Sequence, residues 1–70
     1  MEPHKLDQAW IRQQLNQLPL EQRKTAQQGY QVTYKAAYEA ESVEHMKSNA
    51  ARRAANTRLR EYVKKVLAMR

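Results

Sequence analysis

The sequence predicts an all-α protein: a short first helix beside a hairpin of two longer ones, together forming a single domain over residues 1–70. Three observations carry that expectation. Ten Ala, eight Gln and thirteen Lys or Arg stand against one Gly and two Pro, so helix propensity is high almost throughout. Apolar residues recur at spacings of three and four rather than in alternation. Seventy residues are enough for one domain only, and no internal repeat, low-complexity tract or flexible linker divides them.

The first helix is expected over about 5–17. Leu6 and Trp10 are four residues apart, and Ile11, Leu15 and Leu18 continue at i, i+4 and i+7, which gathers an apolar stripe on one face of three turns. Trp10 fits that stripe and is assigned to the core. Pro19 ends the helix, because the residue before a proline leaves the helical region and the ring cannot continue the ladder. The same proline suits the opening of a second helix, where Glu21 complements the dipole.

The second helix is expected over about 20–41. Tyr30, Tyr34 and Tyr38 stand four apart on one stripe with Ala26, Ala37 and Val32 nearby. Tyrosines can fill a thin core or serve a partner surface, so Tyr34 and Tyr38 are also candidates for contact with another protein. Gly29, inside this run, is read as a point of close helix approach. At Glu39-Ala40-Glu41-Ser42-Val43-Glu44 the pattern breaks, and a bend is expected there with Ser42 as a candidate cap. The acidic cluster is either a solvated helix end or a clamp for Lys47, Arg52 or Arg53.

The third helix is expected over about 43–69 and has the cleanest pattern: Leu59, Tyr62, Val63, Val66 and Leu67 at i, i+3, i+4, i+7 and i+8, extended backward by Ala51 and Ala55. Leu, Ile, Val and Phe together make up 11 of 70 residues, about 16%, below the roughly 20% usual in globular domains. A core so thin, without a cysteine to staple it, nets only about 3–5 kcal/mol. A homodimer sealed by Leu59, Tyr62 and Val66 is therefore expected.

Charge is unevenly placed. Residues 1–46 hold five Lys or Arg against six Asp or Glu, whereas residues 47–70 hold eight against one. At about 100° per residue, Lys47, Arg58 and Lys65 fall on one line and Arg53, Arg60 and Lys64 on another. Three readings compete: a solvated helix face, a phosphate-binding surface, or a helix for an acidic groove or anionic membrane. The expectation adopted is nucleic-acid binding, with Arg52, Arg53, Arg58, Arg60, Lys64 and Lys65 contacting phosphates. The alternative is a modulator of a host protein. The Ser48–Asn56 run offers polar groups and small residues to a groove, but in no spacing that marks a known base reader.

Chemistry finds little to work with. The absence of cysteine removes disulfides, thiolate zinc sites and thiol nucleophiles, and His4 and His45 form no helical metal pair. One glycine excludes a glycine-rich phosphate loop, and no nucleophile–base set or carboxylate pair can be assembled. A non-enzyme without cofactor or metal is expected. No apolar run approaches a membrane span and Met1-Glu2-Pro3-His4-Lys5 lacks a secretory apolar region, so the expected location is cytoplasmic.

Leu6 to Tyr38, with its early Trp10-Ile11-Arg12, Leu18-Pro19 corner and Gly29-Tyr30 step, together with the closing Asn56-Thr57-Arg58-Leu59-Arg60 run, resembles short reading frames of tailed bacteriophages and enterobacterial prophages. That resemblance implies a small accessory protein acting on phage or host DNA metabolism or on a host protein. It assigns no functional residue.

Overall fold

The structure, a computed structural model, describes residues 5–69, with side chains from Asp7 onward. His4 and the side chain of Leu6, the first member of the stripe, lie outside the described residues. Three α-helices make up the fold: α1 (Lys5–Asn16), α2 (Leu20–Ala40) and α3 (Lys47–Ala68), with a 3-10 turn at Glu44–Met46 before the last.

Pro19 stands at the N-cap of α2, one position earlier than the first turn, and its carbonyl accepts from the amides of Gln22 and Arg23 at 3.0 and 3.1 Å. Arg23 then reaches back across the corner. Its Nε donates to the Leu18 carbonyl at 2.9 Å and its guanidinium also donates to the Asn16 carbonyl at 3.3 Å, so the last carbonyl of α1 and one in the corner after it gain a cation.

The second connection is a sharp turn, and α3 begins at Lys47 rather than at Val43 as expected. Glu41 is extended (φ −79°, ψ 123°), which ends α2, and Val43 is extended again (φ −87°, ψ 113°). Ser42 caps neither helix. The side chain that organises the turn belongs to Glu41, whose Oε1 accepts from the Val43 amide at 3.1 Å. Lys47 closes the corner: its Nζ donates to the carbonyls of Tyr38, at 3.2 Å, and Glu41. The acidic cluster therefore holds Lys47 through the backbone, and it takes neither Arg52 nor Arg53.

The pairs Tyr38–Lys47 and Tyr30–Asn56 show α2 and α3 running antiparallel, while Asp7–Arg52 and Trp10–Arg60 advance together along α1 and α3. The bundle is thus up, down, up, with overall dimensions of 40 × 20 × 15 Å. Its core is built from Leu15, Leu18, Ala26, Tyr30, Tyr34, Ala51, Ala55, Leu59 and Val63, and among the described residues no polar or charged side chain is buried. Ala51 and Ala55, both 0% exposed, let α3 approach its neighbours closely while the tyrosines of α2 supply bulk. The tyrosine rings stack in sequence, with centroids 6.3 Å and 6.4 Å apart.

Gly29 is not where two helices are forced together. α2 continues through it without a positive φ, and a Cβ there would meet only the Arg58 Nε, at an ordinary 3.7 Å.

Candidate nucleic-acid interface

α3 presents its charge in sets that the bundle uses differently. Arg52 is committed to α1: its Nε donates to Asp7 Oδ2 at 2.8 Å and its terminal nitrogen to Oδ1 at 3.4 Å. The Asp7 carboxylate accepting this hydrogen bond holds the guanidinium pKa above its ordinary value, against the opposing cost of desolvation. Arg52, expected to contact phosphate, is instead a tie between helices 45 residues apart. Lys47 is likewise engaged at the turn, with its ammonium 5.6 Å from the centre of the Tyr38 ring.

The remaining cations of α3, Arg53, Arg58, Arg60, Lys64 and Lys65, are all exposed, and among the described residues none of them forms an ion pair. Arg53, Arg60 and Lys64 lie along the side of α3 that meets α1, because Arg60 stands over the Trp10 ring, 5.5 Å from its centre. Arg58 lies along the α2 side beside Gly29, and its line continues to Lys65. The helix therefore carries a row of cations on either side of its solvent-facing surface. Trp10 is half-buried: it packs against the core and also takes the cation–π contact.

The expected self-association seam is mostly used within the chain. Leu59 is 2% exposed in the core, because packing against α1 and α2 covers most of the apolar stripe of α3; Tyr62 and Val66 remain half-buried at its edge, and Leu67 is exposed. Tyr34, expected on a partner surface, is 6% exposed in the same core, while Tyr38 is half-buried beneath Lys47.

Two participants take roles that the sequence pattern did not assign: Asp7, and Asn56, read there as one of the polar groups that the Ser48–Asn56 run offers to a groove. Asp7 has no local signal, because its partner is 45 residues away. Asn56 accepts from the Tyr30 hydroxyl at 2.7 Å, satisfying the one polar atom that the buried ring brings in. Burial, followed by the nearby charge of Asp7, pushes the Tyr30 phenol up to about 12, with Arg52 pulling the other way. Arg23 could have been found, since a cation soon after a Leu-Pro corner faces the free carbonyls of the preceding helix.

No group of His, Asp and Glu able to hold a metal occurs among the described residues, and no described helix is long and apolar enough to cross a membrane. Fold and surface together define a small, basic three-helix protein with its cations concentrated on one helix. In comparisons with known proteins, the chain matches no family model, no curated protein and no solved structure.

Proposed function

We propose that this protein is a non-catalytic nucleic-acid-binding accessory protein that contacts phosphates through α3. The observation that supports it is the concentration of five exposed cations on one helix, none in an ion pair among the described residues, while the bundle ties up Arg52 and Lys47 elsewhere. Arg53, Arg58, Arg60, Lys64 and Lys65 are the phosphate ligands. A solvated face of mixed charge would intersperse carboxylates, yet Glu61 is the only one on α3. The accessory role in phage or host DNA metabolism implied by the sequence resemblance, and a cytoplasmic location, belong to the same reading.

A homodimer is part of the proposal, with Tyr62 and Val66 as the residues of the expected seam left for it. They line a groove with Pro19, Gln22, Lys65 and the exposed Met69. A monomer at tens of micromolar in sedimentation would remove it.

Binding to duplex DNA should be detectable at low salt, with log K falling linearly in log salt. Five released counterions correspond to a slope of about −4 to −5, or several hundred-fold between about 50 and 200 mM. No binding to duplex or single-stranded DNA at low salt overturns the reading. Neutralising Arg58 and Lys65 should reduce the slope by about one per residue, whereas loss of Arg52 should leave it unchanged.

A further inference from the structure

The edge between α1 and α3 combines features that a plain phosphate-binding helix does not need. Trp10, the only tryptophan, is half-buried there and carries Arg60 over its ring at 5.5 Å. Arg53, Arg60 and Lys64 project within a band of about 40° and span about 16 Å along the helix. They form a cationic rail parallel to α1. On the Trp10 side of α1, Gln13 and Gln14 bring two uncharged amides within about 60° of the ring in projection. The two helices hold only two carboxylates: Asp7, paired with Arg52, and Glu61, which projects about 100° round from Arg60. The edge is therefore aromatic, cationic and amide-lined.

We infer that this edge is a stacking platform for single-stranded nucleic acid, with an unpaired base against the Trp10–Arg60 pair and the backbone tracking Arg53 and Lys64. The inference rests on the nucleic-acid reading above and narrows it to a strand class and a place. Duplex bases are stacked on one another and offer no face to a tryptophan, whereas an unpaired base does so whatever its identity. Arg60 suits the position because a guanidinium can stack on a base and pair with a phosphate, and its exposure leaves it free to move from ring to strand. The amides of Gln13 and Gln14 can hydrogen-bond base edges without adding charge.

The lone tryptophan makes its own reporter. Oligothymidylate at low salt should quench its fluorescence, and a duplex of equal length should do so far less. With a labelled oligonucleotide read by anisotropy, Trp10→Leu should weaken single-strand binding at least about fivefold, the lower end of one lost stacking contact. Binding of heparin, a polyanion without bases, should not change. Arg60→Gln, at an exposed position, should with helicity intact weaken oligothymidylate binding more than duplex or heparin binding, which covers the case in which Trp10→Leu unfolds; an equal loss for all three overturns the platform. Equal, salt-dependent binding of both strand classes with unchanged fluorescence overturns the platform and leaves the broader reading standing. Failure to bind either strand class overturns both.

Discussion

Tyr30 shows how one residue is pulled into two roles by its ends. Its ring is 4% exposed among Leu and Ala neighbours, while its hydroxyl donates to Asn56 across the α2–α3 interface. Ionising it would place a negative charge in the core near Asp7, so the folded state keeps the proton up to about pH 12 while the unfolded chain releases it near 10. The folded pKa is the higher one, so the stabilisation is fully present below pH 10 and is lost as pH rises from 10 through 12. Urea midpoints should fall across that window, and phenolate absorbance should show a late ionisation at about pH 12. Tyr30→Phe should abolish the late step and, by leaving Asn56 without its donor, cost about 1 kcal/mol at neutral pH.

At the scale of the element, α2 is a strong helix with one weak position. Gly29 gives up propensity without a geometric return, since its φ is ordinary and the space beside it holds only the end of the Arg58 side chain. Gly29→Ala should therefore stabilise the protein by about 0.5–1 kcal/mol, readable as a higher midpoint in thermal or urea unfolding with unchanged helix content. A lower midpoint would show that Arg58 cannot yield. α3 presents the opposite case. Its apolar pattern was legible along its whole length, but a stripe shows that a face is covered and not by what, so Leu59 reads equally well as dimer seam or as core. The start of α3 was less legible, because Val43–Met46 has apolar residues at helical spacing and only the extended backbone at Glu41 and Val43 shows where the chain turns.

Across the whole molecule, a thin core is supplemented by polar ties at its joints. Arg23 secures the α1–α2 corner, Lys47 the α2–α3 corner, and Asp7–Arg52 fastens α1, the shortest helix, to α3. The last tie is paired twice and its side chains are 13% and 29% exposed, which places it between a surface and a buried bridge. A double-mutant cycle with Asp7→Asn and Arg52→Gln should give a favourable, non-zero coupling in urea unfolding. Because Trp10 sits one turn from Asp7, its fluorescence should report α1 loosening in both single variants. What the sequence by itself determined about this protein is local: three helices, the proline corner, the break after Ala40, and a last helix that is basic and amphipathic. Each follows from spacing, propensity or charge within a few residues. Which cations are free was decided only by the tertiary structure. Arg52 and Arg53 are adjacent and chemically identical in the chain, yet the first lies where α1 delivers Asp7 and the second stands exposed, because about 100° of helical rotation turns them to different surroundings.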